Sequence, residues 1–232
     1  MSDHHLLFDH DDTEVLEAYE CETKGKYHDA IGHYKNVLDR HPENGIVFKH
    51  LGNVYYRLGN FTEAINYLTK AVELLPEYPT ALYDLALAYY RQAKIKIALE
   101  CLEGVLKLDP EFLMANYWSG ILSYHRGHLN RARQHFLTIT EKNPDFVIAF
   151  FHLGVNNLRL GRYKEATDNF QHLIERNPDS PTAFSLLGDC YLNLDMKVEA
   201  RQAYNEALKL DDEDRKATHG LALLDDFNDV TF

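Results

Sequence analysis

The sequence predicts an all-α chain: an α-solenoid of tandem helix-turn-helix repeats closed by a short C-terminal helix. Three observations carry that expectation. Pro42, Pro76, Pro110, Pro144 and Pro178 recur every 34 residues, and Ala30, Ala64, Ala98, Ala132, Ala166 and Ala200 keep the same period without an insertion. Between these markers apolar residues return at helical spacing twice per period. A unit of that length is one supersecondary element that cannot bury its apolar face alone, so stacked neighbours share a continuous core and leave an extended surface.

Counted from Asp11, the units are 11–44, 45–78, 79–112, 113–146, 147–180 and 181–214, preceded by the acidic, His-rich segment 1–10 and followed by 215–232. In the first unit Glu14 and Glu17 stand where later units carry Phe or Leu, as a polar cap requires. The second unit shows the pattern most plainly. Phe48, Leu51, Gly52 and Tyr55 form one helical face, Gly59 and Asn60 break it, and Phe61, Ala64, Ile65, Leu68, Ala71 and Val72 form a second face that stops before Pro76. Gly52 and Ala64 lack the bulk that would hold the two helices apart, as do Gly154 with Ala166 and Gly188 with Ala200.

The third unit repeats the stripe with Leu82, Leu85, Ala86 and Tyr89. In the fourth, Asn116, Ser119 and Ser123 occupy the stripe that is apolar elsewhere, beside Ala115, Trp118 and Leu122, so that helix is either rotated or carries a polar network. After the sixth unit Asp212 replaces the proline, and Arg215 to Leu224 reads as a closing helix with Ala217, Leu221 and Leu224 turned inward.

Composition bounds the function. Apolar residues make up 45% of the chain, with 15 Tyr and 12 Phe, enough for a packed spine. A net charge of −12 opposes binding to nucleic acid and to anionic membranes. The start, MSDHHLLFDHDD, lacks the basic and apolar stretches of a signal peptide, so the expected localisation is cytoplasmic, without membrane insertion. Cys21, Cys101 and Cys190 fall in different repeats and read as reduced thiols.

The six units resemble the tetratricopeptide repeat family over residues 11–214. The resemblance implies a right-handed superhelix whose first helices line a concave groove, and a use as an interaction scaffold. A second apolar stripe lies there: Tyr83, Leu87 and Tyr90 in the third unit, Tyr117, Ile121 and Tyr124 in the fourth, Phe151, Val155 and Leu158 in the fifth, and Tyr56 in the second. Arg57, Arg91, His125 and Arg159 run beside it. The expected ligand is a protein or peptide segment with large apolar side chains and some acidic ones. Alternatively, the tyrosines pack between adjacent first helices and the arginines pair with carboxylates across repeats. Lys49 and Asn53 match part of the carboxylate clamp of chaperone-binding members, but Asp84, Met114 and Trp118 stand where that clamp needs an Asn and cations, which argues against a chaperone-tail ligand.

No phosphate loop, zinc-ligand set or nucleophile motif occurs, so the chain reads as a non-enzyme without cofactor or metal. His125 and His128 read as surface residues, His4, His5, Asp9, His10 and Asp11 as a polar tail, and Asp211, Asp212, Glu213 and Asp214 as a solvated turn. Phe227, Val230 and Phe232 in DDFNDVTF leave self-association open. The expected function is a protein–protein interaction scaffold, adaptor or chaperone-like module. A self-assembling scaffold and a substrate-presenting arm of an enzyme complex are the alternatives.

Overall fold

A computed structural model describes residues 12–226. Among them are thirteen α-helices and no strand: α1 (Thr13–Thr23), α2 (Tyr27–Arg40), α3 (Gly45–Arg57), α4 (Phe61–Leu74), α5 (Pro79–Arg91), α6 (Ile95–Leu108), α7 (Leu113–His125), α8 (Leu129–Lys142), α9 (Val147–Arg159), α10 (Tyr163–Arg176), α11 (Pro181–Asn193), α12 (Lys197–Leu210) and α13 (Arg215–Asp226). The fold class is the one the periodicity predicts. Packing gathers the described residues into two compact units that divide between Ala115 and Asn116. In the first, α1 packs on α2, α3 on α4 and α5 on α6; in the second, α9 packs on α10, α11 on α12, and α13 on both α11 and α12.

The hairpin turns show why the chain reverses at a fixed interval. Gly25, Gly59, Gly127 and Gly161 take left-handed φ values of +70° to +77°, and Ala93 and Asp195 take +58° at the equivalent turns of the third and sixth repeats. The next amide reaches back to close each turn, as Asn60 N–H does to the Tyr55 carbonyl at 2.9 Å and Lys94 N–H to that of Tyr89 at 3.0 Å. Such an end satisfies carbonyls that the helix leaves unpaired. Asn44, Asn60 and Ser180 cap α3, α4 and α11 by accepting the amides of Val47, Glu63 and Ala183.

Inside the hairpins a second period of 34 appears. Tyr34, Leu68, Leu102, Phe136, Phe170 and Tyr204, one per second helix, are all essentially fully buried. The glycines of the facing first helices exist for them. A Cβ on Gly52 would come within 2.4 Å of Leu68, on Gly120 within 2.6 Å of Phe136, on Gly154 within 2.8 Å of Phe170 and on Gly188 within 2.5 Å of Tyr204. The fourth repeat therefore keeps its register. Asn116, Ser119 and Ser123 are buried beside Gly120, which faces Phe136; Asn116 Oδ1 meets His135 Nδ1 at 3.0 Å, and the two serine hydroxyls have no hydrogen-bond partner among the described residues. The helix is not rotated; polar residues fill core positions.

At both ends the spine residue is a tyrosine whose hydroxyl donates to a first-helix carboxylate, Tyr34 to Glu22 at 2.7 Å and Tyr204 to Asp189 at 2.8 Å. On α1, Glu14 accepts from Asn36 at 2.7 Å and meets His33 at 2.9 Å, so this polar end is bonded to α2. Ala217 and Leu224 are buried in α13, with Leu221 packed beside them. Asp214 caps that helix through the amide of Ala217 at 2.9 Å. Burial works against its ionisation, but the Ser185 hydroxyl and two backbone amides hold its carboxyl below the ordinary range. Burial pushes the thiols of Cys101 and Cys190 up to about 11 and about 12, which keeps them unreactive at neutral pH.

Candidate functional site

In the first unit the second stripe stands on α3 and α5. Tyr56, Tyr83, Leu87 and Tyr90 are half-buried, whereas Arg57 and Arg91 are exposed. Among the described residues Arg91 pairs with no carboxylate. Its guanidinium lies over two rings, 4.6 Å from the centroid of Phe61 and 5.6 Å from that of Tyr56, and those rings meet edge to face at 5.6 Å. A guanidinium over aromatic rings is attracted by their negative faces, and this one is exposed. Tyr83 packs on Phe112 at 5.3 Å. Asn53, Tyr56, Arg57, Asp84 and Leu87 line a recess of about 320 Å³.

Lys49 and Asn53 converge on a residue of the chain itself. Asn53 Nδ2 donates to Asp84 Oδ2 at 2.9 Å, and Lys49 Nζ lies 3.7 Å from the same oxygen and 5.5 Å from the centroid of Tyr78. Burial pushes the Asp84 carboxyl above the usual carboxylate range, opposed by Lys49 and by the Asn53 bond. Asp84 thus supplies from within the anion that these two donors could otherwise take from outside.

In the second unit the stripe stands on α7 and α9. Arg159, again exposed, lies 4.6 Å from the centroid of Tyr124, which meets His125 edge to face at 5.7 Å. Tyr117 OH is 3.2 Å from His152 Nε2, and the Tyr117 ring meets Phe146 edge to face at 5.7 Å. His152 also stacks on Phe136 at 5.6 Å and takes the edge of Phe151 at 5.4 Å. Burial, with His125 as a second cause, lowers its pKa, so the imidazole is neutral at pH 7. Phe151, Val155 and Leu158 pack on the core of Ala166, Phe170, Ala183 and Leu187, while Ile121 is half-buried on α7.

The structure therefore joins parts of two expectations. Half-buried aromatics pack between neighbouring elements, yet Arg91 and Arg159 rest on aromatic faces and make no ion pair among the described residues. Arg57 likewise makes none, although its charge reaches Glu22. The expected groove lies on two units, with Lys49, Asn53, Tyr56, Arg57, Tyr83, Leu87, Tyr90 and Arg91 in the first and the rest in the second. Asp84, Phe61, Phe146 and His152 escaped the sequence reading as members of the constellation. The 34-residue period carries a signal for three of them: His152 stands 68 residues after Asp84, and Phe146 stands 34 after Phe112.

Paired helices, a left-handed residue at each turn and ring-stacked arginines beside half-buried rings define a helical-repeat protein with polar and aromatic first-helix faces. The sequence profile of the tetratricopeptide repeat matches residues 83–145, 126–168 and 153–215, and two further profiles of such repeats match 52–92 and 23–68. The chain belongs to the tetratricopeptide repeat family.

Among solved structures, the crystal structure of YrrB, a TPR protein with an unusual peptide-binding site, is similar with a TM-score of 0.76 at 21% identity, over 82% of this chain and 97% of that one. A MamA crystal structure is similar at 0.65 and 26%, over 69% and 94%. A tetratricopeptide repeat protein from Parabacteroides merdae is similar at 0.67 and 21%, over 92% and 91%. No curated protein matches the sequence. Among the described residues no helix is long and apolar enough to cross a membrane.

Proposed function

We propose that this chain is a non-enzymatic interaction scaffold whose first-helix faces take up a segment of a partner protein. Tyr56, Tyr83, Tyr90, Tyr117, Tyr124 and Phe151 serve as apolar anchors, and Arg57, Arg91 and Arg159 select an acidic side chain. The observation that carries the reading is the recurrence, in each unit, of an exposed arginine lying over the tyrosine of the preceding repeat. A guanidinium fixed in this way is pre-organised for a carboxylate and loses less side-chain entropy on binding than a free one. The peptide-binding site of YrrB, on the same fold, is a parallel. Nucleic acid is not the expected partner of a chain of net charge −12.

An array of peptides combining Phe or Leu with Asp or Glu tests the reading, comparing the unmutated chain with Tyr56→Ala/Arg91→Ala after matched helicity and melting. Binding that weakens about tenfold or more in the variant supports it, the loss expected when an aromatic anchor is truncated. Equal binding by both overturns it.

A further inference from the structure

The recess beside Tyr56 has a chemistry that one segment of this same chain matches. Its walls are Asn53, Tyr56, Arg57, Asp84 and Leu87, with Arg91 lying over the Tyr56 ring. Asp84 is already met by Lys49 and Asn53, which leaves Arg57 and Arg91 as the exposed charges at the rim. The local balance is positive in a chain that is acidic overall.

Residues 226–232, Asp-Phe-Asn-Asp-Val-Thr-Phe, carry two carboxylates among two phenyl rings and a valine. Just before them Asp225 is held by Arg201 at 2.6 Å, at the end of α13. Six residues after Asp226 span about 20 Å when extended. That is the width of roughly two neighbouring helices at 8–10 Å apart, and here α3 and α5 are neighbours.

We infer that residues 226–232 of one copy dock on the α3–α5 face of a second copy, with the phenyl rings against Tyr56 and Leu87 and the carboxylates on Arg57 and Arg91. The inference rests on the function proposed above and names its partner as a second copy of this chain. The contact is heterologous, since the two copies use different surfaces, and it extends into chains or closed rings.

Sedimentation of the full chain over a wide concentration range, beside a chain ending at Asp226 that keeps α13 whole, reads the association. Fluorescence anisotropy of a labelled peptide of residues 226–232 reads the contact on the shortened chain. The expected result is a mass that rises with concentration for the full chain only. Peptide binding should weaken about tenfold in Arg91→Glu, as truncated charge pairs at interfaces do, and return when the peptide carries Asp229→Lys. A full chain that stays monomeric with no peptide binding overturns the inference, as does peptide binding indifferent to Arg91→Glu. If the peptide fails while arrayed acidic-aromatic peptides bind in an Arg91-dependent way, self-docking falls and the scaffold reading stands. If neither binds, both fall.

Discussion

Residues 68 apart occupy equivalent places in the two units, and their differences show how one backbone carries two chemistries. Lys49 and Asp84 in the first unit correspond to Tyr117 and His152 in the second, and each pair meets across neighbouring first helices, at 3.7 Å and 3.2 Å. The first pair is an ion pair; the second is neutral and aromatic. Arg91 lies on two rings, Tyr56 and Phe61, whereas Arg159 lies on Tyr124 alone because Leu129 takes the place of Phe61. The helical hairpin fixes where these side chains meet, and residue choice fixes what they do there.

The spine gives the largest expected difference. Phe136 and Leu68 fill the same position opposite Gly120 and Gly52, and both are buried. Phe136→Ala is expected to cost about 3–5 kcal/mol and Leu68→Ala about 2–5 kcal/mol, because the ring leaves the larger cavity. Since repeats contact mainly their neighbours, hydrogen exchange resolved by helix should place the loss of protection on α8 and its neighbours for the first variant, and on α3 to α5 for the second. A uniform loss over the whole chain in either case would show that the units unfold as one.

The two pairs should respond to pH in opposite senses. Asp84 has a folded pKa above 3.8, so the native state holds its proton longer than the unfolded state, and stability falls as pH rises from about 3.8 through the folded value. His152 has a folded pKa below 6.5, so the unfolded state takes up the proton first, and stability falls as pH drops below about 6.5. Asp84→Asn should remove the loss on the alkaline side, and His152→Gln the loss on the acid side, in melting temperatures followed from pH 4 to 7. Lys49→Ala should cost about 1–3 kcal/mol at pH 7 by leaving a partly buried carboxylate underpaired, and adding Asp84→Asn should recover most of it. Identical pH profiles for all variants would refute these assignments.

Much of this contrast was legible in the sequence as placement and little of it as partnership. The 34-residue period gave the hairpins, and Tyr56, Arg91, Tyr124 and Arg159 were singled out from helical spacing alone. Their mutual contact is not legible there, because it joins the end of one first helix to that of the next, and a stripe drawn along a single helix does not show it. The sequence marks Lys49 and Asn53 as donors and Asp84 as a charge where a clamp needs an amide; that the three meet in one bond network depends on distances across α3 and α5. In the fourth repeat Asn116, Ser119 and Ser123 broke the apolar pattern, yet Gly120 against Phe136 held the register. Steric fit at one glycine outweighed three polar residues.

The ring-stacked arginines should differ by a smaller amount. Arg91→Ala is expected to destabilise the first unit by about 0.5–2 kcal/mol and Arg159→Ala the second by less, since exposed cation–π contacts contribute at the low end of that range and Arg159 has one ring. Leu129→Phe should narrow the gap by giving Arg159 a second ring. If the gap persists in Leu129→Phe, measured by exchange in α8 and α9, the number of rings is not its cause.

The turns carry the smallest effect and the one whose sign is most specific. Four of the six left-handed turn residues are glycine, and a Cβ at Gly25, Gly59, Gly127 or Gly161 would meet nothing within 4 Å, so backbone conformation alone opposes a side chain there. Ala93 bears that strain in the first unit and Asp195 in the second, both at φ +58°. A left-handed alanine costs roughly 1–2 kcal/mol, and aspartate tolerates the region better. A glycine in its place gives back part of that gain as unfolded-chain entropy. Ala93→Gly is therefore expected to stabilise the chain by about 0.5–1 kcal/mol and Asp195→Gly by less, with Gly59→Ala and Gly161→Ala destabilising it by a similar amount. Chemical denaturation resolves these steps, and an Ala93→Gly chain no more stable than its parent would mean that the third turn relaxes its alanine elsewhere.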